Sequence, residues 1–99
     1  LNGQSDGTSA VVRETLTICN EKGLHARAAA KFVKCVAEWS ADVTVEKGGM
    51  AVGGDSIMGL MLLAASTGCT IDVTAVGAEA DQAVAALRTL VDGRFEEER

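Results

Sequence analysis

Positive charge, histidine and long apolar runs are all scarce in this chain, and each shortage removes a class of function. Nine lysines and arginines stand against 14 aspartates and glutamates, a net charge of −5. Such a chain has no basic surface to displace counterions from a nucleic-acid backbone, and no nucleic-acid partner is expected. With one histidine and three cysteines, and no Cys-x-x-Cys pair, a tetrahedral zinc site would have to recruit carboxylates. Neither a metal nor another cofactor is expected. Cys19, Cys35 and Cys69, odd in number and far apart, read as reduced, half-buried thiols. No apolar run approaches the roughly 20 residues of a membrane-spanning helix, and the first residues have neither a basic region nor an apolar signal core. A soluble, cytoplasmic, monomeric chain with no membrane partner is the expectation. Gly48, Gly49, Gly53 and Gly54 are not followed by Gly-Lys-Ser/Thr, so they make no nucleotide-binding loop.

What the chain does have is apolar content. Hydrophobic residues make up 47% of it, well above the range in which an acidic chain stays unfolded. Its 99 residues suit one domain with a modest core, too small for a cleft between two lobes. Residues 1–10, "LNGQSDGTSA", are small, polar and glycine-bearing and read as a mobile tail; the domain is expected over 11–95. In "VVRETLTIC", Val12, Leu16 and Ile18 share a period-2 face with Glu14, which predicts a strand with one buried side.

From Ala26 to about Trp39 the period lengthens, and Ala26, Ala29, Ala30, Val33, Val36 and Ala37 form the expected buried stripe of a helix. Asp42 to Lys47, the turn Gly48-Gly49 and Met50 to Val52 read as a hairpin. A short apolar helix follows from about Ser56 to Ala65, with Ser56 or Asp55 as its cap. "CTIDVTAV" alternates as a fourth strand. A last helix runs from about Glu79 to Val91, buried along Ala80, Ala83, Val84, Leu87, Leu90 and Val91, with Arg88 placed to favour its negative end. Residues 96–99 of the closing "RFEEER" are expected to fray. The order β-α-β-β-α-β-α predicts an α+β fold: a four-stranded antiparallel sheet with three helices on one face and the other face wet.

His25 is the residue this pattern does not explain. It stands where the first helix starts, at a positive helix end whose first N–H groups have no intrahelical acceptor. Such ends prefer Ser, Thr or Asp, and none lies between Lys22 and Ala30. The N–H groups of Ala26, Arg27 and Ala28 are therefore available to an anion, Gly23 allows a sharp turn before them, and the planar Arg27 guanidinium suits phosphate oxygens. An imidazole beside such a collar is a plausible phosphoryl acceptor.

"GLHARAA" (Gly23 to Ala29) resembles the active-site signature of the HPr family, the histidine-containing phosphocarriers of the bacterial phosphotransferase system. "GGDSIMGLM" (Gly53 to Met61) resembles that family's second signature, around its regulatory serine. The resemblance spans Val11 to Phe95 and implies an open-faced β-sandwich of the order just given. It implies that His25 accepts a phosphoryl group on Nδ1 from enzyme I and passes it to enzyme IIA proteins, with Arg27 assisting and no independent catalysis. It further implies that Ser56 is modified by an HPr kinase/phosphorylase, and that Leu24, Ile57 and Met58 contact partners. Leu60 and Leu63 are better explained by core packing. The family commonly has proline after the active-site arginine, where this chain has Ala28. "LVDGRFEEE" resembles the nitrogen-type regulatory branch, NPr, rather than the sugar-transport branch. The competing readings are an interaction module in which His25 merely begins a helix, and an independent hydrolase or transferase, which would lack a second histidine.

Overall fold

The computed structural model describes residues 10–99; the expected tail lies outside them except for Ala10, which already belongs to the first strand. The strands are β1 (Ala10–Thr17), β2 (Asp42–Lys47), β3 (Met50–Gly53) and β4 (Thr70–Gly77). The helices are α1 (Ala26–Val36), α2 (Ile57–Leu62) and α3 (Ala80–Asp92), followed by a 3-10 turn over Arg94–Glu96. All pairings are antiparallel, in the spatial order β1-β4-β2-β3, so α1 crosses from β1 past β4 before β2 begins. Among the described residues, no helix is long and apolar enough to cross a membrane.

The expected α+β, open-faced sheet is present, and its register follows from period-2 alternation. Leu16 pairs with Ile71, while one core-facing row runs Glu14, Val73, Val45, Val52 across the four strands. Leu16, Val43, Val45, Ile71, Val73 and Ala75 are buried, and their neighbours in sequence face water. Glu14 on the apolar side is explained by Arg88 of α3, whose guanidinium bonds both its carboxylate oxygens. That hydrogen bond outweighs partial desolvation and, with the charge of Arg88, lowers the Glu14 pKa. Arg88 is thus committed to the sheet edge and not to the end of its own helix. The β2–β3 hairpin closes on Gly48 and Gly49, both at positive φ (59° and 84°), as a two-residue turn between antiparallel strands requires.

Two helices differ from expectation. α1 is rotated: Ala28, Ala29, Phe32 and Val36 are buried, while Ala26, Ala30 and Ala37 are exposed. Burying a phenylalanine stabilises by roughly 1.5–3 kcal/mol and a single methyl by far less, so Phe32 sets the inward face and the alanines follow. α1 also stops at Val36, since the N–H groups of Glu38 and Trp39 turn back to the i−3 carbonyls of Cys35 and Val36. α2 covers only Ile57–Leu62, and Leu63 and Ala64 make the same kind of i−3 bond before the chain turns at Ala64.

The end of the chain packs back on the domain. Phe95 is fully buried in the core, Lys31 donates to its carbonyl at 2.7 Å, and the Glu21 N–H donates to the Arg99 carbonyl at 2.9 Å. Its backbone is left-handed at Arg94, Phe95 and Glu96 (φ 60°, 54° and 66°), a conformation that costs an L-residue roughly 1–2 kcal/mol each. Burial of the Phe95 ring offsets part of that cost, and the two hydrogen bonds offset more of it.

Candidate functional site

The start of α1 is built by Gly23. At φ +69° it is left-handed, and a Cβ there would stand 2.5 Å from the Ala65 carbonyl oxygen, so no other residue fits. The tight approach lets Leu24 N–H donate to Ala65 O at 2.8 Å, fastening the loop after α2 beside the mouth of α1. Leu24 itself is buried at 4% exposure. The expectation that it contacts partners is corrected: its side chain is a core residue, drawn inward by that backbone bond.

His25 is the N-cap of α1, with extended backbone (φ −79°, ψ −178°) and no capping side-chain bond. Ala29 N–H, donating to the His25 carbonyl at 2.8 Å, closes the first turn. Ahead of it, the N–H groups of Ala26, Arg27 and Ala28 have no acceptor among the described residues. Ala26 and Arg27 are exposed and the Ala28 methyl is buried. The imidazole is neither packed inward nor free, with 27% of its side-chain surface exposed. Its Nε2 stands 2.5 Å from Glu97 Oε2; an ionised carboxylate can only accept, so Nε2 is the nitrogen that carries the hydrogen in this pair, and in the neutral ring the lone pair then falls on Nδ1.

Arg27 lines a hollow of about 410 Å³ of mixed charge, in which Lys22, Lys31 and Arg99 face Glu21 and the three glutamates of the closing run. Among the described residues no carboxylate comes within ion-pair distance of its guanidinium, so the fork is uncommitted. Glu97 also accepts from Asn20 Nδ2 at 3.1 Å through Oε1. Desolvation works against its ionisation, but hydrogen bonds from His25 and Asn20 and the charges of His25 and Lys22 prevail and hold its carboxyl below the usual range. Asn20 is completely buried and donates as well to the Gly23 carbonyl at 2.8 Å, so one amide ties the glycine turn to Glu97.

Sequence reasoning missed both Asn20 and Glu97. An asparagine before a glycine turn reads as an ordinary loop residue. The one available signal for Glu97 was Phe95, a lone large apolar residue inside an acidic run.

Ser56 caps α2, its Oγ accepting from Gly59 N–H at 2.9 Å. Beyond it Ile57, Met58, Met61 and Leu62 are exposed, while Leu60 and Leu63 are buried as expected. α2 packs beside α1, so this apolar patch lies on a helix that neighbours the one His25 begins. Cys35 and Cys69 are half-buried free thiols, as expected, whereas Cys19 is exposed; burial, then the charge of Glu38, pushes the Cys35 thiol up.

Comparison with known proteins points to one family. A family model described as the "PTS HPr component phosphorylation site" matches residues 12–92. The phosphocarrier protein HPr of Neisseria meningitidis serogroup A is 40% identical over 87 residues, 88% of this chain and 98% of that protein. The phosphocarrier protein NPr of Shewanella violacea is 40% identical over 82 residues, 83% of this chain and 90% of that protein. The crystal structure of HPr-C-His from Thermoanaerobacter tengcongensis superposes with a TM-score of 0.85 at 39% identity, covering 89% of this chain and 99% of that one. With its fold and both signature stretches inside the matched span, the chain belongs to the HPr family of phosphocarrier proteins of the phosphotransferase system.

Proposed function

We propose that this chain carries a phosphoryl group on Nδ1 of His25, receiving it from enzyme I and delivering it to enzyme IIA proteins. The observation that carries the reading is a partly exposed imidazole at an uncapped helix start, with Nε2 engaged and Nδ1 left over. The N–H groups of Ala26, Arg27 and Ala28 and the Arg27 guanidinium receive the incoming charge. Ground-state stabilisation of about 0.3–2 kcal/mol from such a helix end orients a phosphate without trapping it, which suits a carrier.

Ile57 and Met58 supply the partner contact, as exposed apolar side chains on the helix packed against α1. Ser56 is the regulatory site of an HPr kinase: a phosphate there replaces the cap and places charge on the same apolar patch. HPr-named and NPr-named relatives match at the same 40% identity, so the assay uses both types of enzyme I. Incubation with either one and phosphoenolpyruvate should give an acid-labile, alkali-stable phosphate that is absent from His25→Ala; equal labelling of that variant rejects the assignment.

A further inference from the structure

We propose that Glu97 is a positioning residue for the His25 nucleophile, carried onto the imidazole by a strained closing strap; this rests on the phosphocarrier reading above. Three observations converge on it. The strap runs through three successive left-handed non-glycine residues, Arg94, Phe95 and Glu96, a conformation that persists only where surrounding structure imposes it. It is imposed here by the buried Phe95 ring, by the Lys31 bond to the Phe95 carbonyl and by the Lys31–Glu96 ion pair at 3.4 Å. The strain ends in Glu97, whose two carboxylate oxygens accept from different donors, His25 Nε2–H and Asn20 Nδ2. Only a carboxylate accepts on both oxygens; an amide in its place offers one acceptor and one donor.

The chemistry follows from which nitrogen is occupied. With its proton held on Nε2, the ring presents the Nδ1 lone pair outward. That pair forms the N–P bond as the bond from phosphorus to the donor's leaving group breaks, and the leaving group departs with the bonding electrons. The Nε2 proton does not move. The ring becomes cationic, and Glu97 balances the charge in place. When the phosphoryl group is passed on, the N–P electrons return to Nδ1 and the same carboxylate holds the neutral ring in register for the next cycle. Carboxylate partners that orient a functional imidazole act in this way elsewhere.

The test separates this inference from the carrier reading by using phosphoramidate, a small phosphoryl donor that needs no partner protein. The unchanged chain, Glu97→Ala, Glu97→Gln and Glu98→Ala are compared by ¹⁵N resonances of the imidazole, which report the tautomer, and by the rate at which His25 is phosphorylated. Glu97→Ala should admit the Nδ1–H tautomer and slow phosphorylation about tenfold, the low end of what such partners contribute. Glu97→Gln, able to bond either His25 or Asn20 through its single acceptor but not both, should fall between the two. Glu98→Ala, one residue on and exposed, should match the unchanged chain. An unaltered tautomer or an unaltered rate in Glu97→Ala overturns the proposal. Failure of the unchanged chain to take phosphate on His25 rejects the carrier reading instead, while the tautomer comparison still decides whether Glu97 holds the ring.

Discussion

The helices α1 and α2 pack against each other and solve the same physical problem at their starts in opposite ways. α2 starts at Ser56, whose hydroxyl accepts from Gly59 N–H, satisfying a donor within its own first turn. α1 starts at His25, which makes no capping bond, and the N–H groups of Ala26, Arg27 and Ala28 are left without acceptors among the described residues. The closed start serves stability. The open one forgoes a cap worth about 0.5–2 kcal/mol and in return keeps three N–H donors open for the phosphate proposed above. What the α1 start lacks in local capping is made up from a distance, by Glu97 on the imidazole and Asn20 on the preceding turn.

The largest way to break that contrast is to remove the anchor of the distant support. Phe95→Ala should cost about 3–5 kcal/mol of stability, read by denaturant unfolding, and should release Glu97 from His25 in the fraction that remains folded. A loss below 1 kcal/mol would mean that the strap is not anchored through this ring. Arg27→Ala leaves the fold intact, because the side chain is exposed and unpaired among the described residues, but should slow phosphoryl transfer about a hundredfold; stopped-flow transfer from enzyme I measures it.

Ser56→Ala opens the closed start and should cost about 1 kcal/mol in thermal unfolding while phosphoramidate still labels His25 at the original rate. Acid sharpens the contrast differently. The folded pKa of Glu97 lies below its ordinary value of 4.5, so its stabilising contribution is complete above that range and is lost as pH falls through the folded value. The Glu97→Gln variant should therefore lose less stability than the unchanged chain between neutral pH and the region below 4.5. Ala28→Pro has the smallest effect: proline is tolerated in a first turn but removes one of the open donors, and phospho-His25 should hydrolyse at a changed rate. Identical half-lives would show that the Ala28 N–H plays no part.

The strands were legible because alternation is a local property: Ile71, Val73 and Ala75 face inward whatever lies across the core, and Gly48-Gly49 can do little but turn. His25 was legible for a similar reason, since the missing cap and the adjacent Gly23 and Arg27 are all within a few residues. The rotation of α1 was not. A run of alanines supports several stripes almost equally, and only Phe32 meeting the rest of the core selects one. Leu24 illustrates the same limit, since its burial depends on Ala65, far along the chain.

By itself, then, the amino-acid order determined the succession of strands and helices, the uncapped helix start and the identity of the nucleophile candidate, because each follows from periodicity or from neighbours a turn apart. Only the tertiary structure decided which face of α1 turns inward and which group stands behind the imidazole. Glu97 lies 72 residues from His25, and it arrives there through a left-handed turn that local preference disfavours and that burial of Phe95 helps to hold.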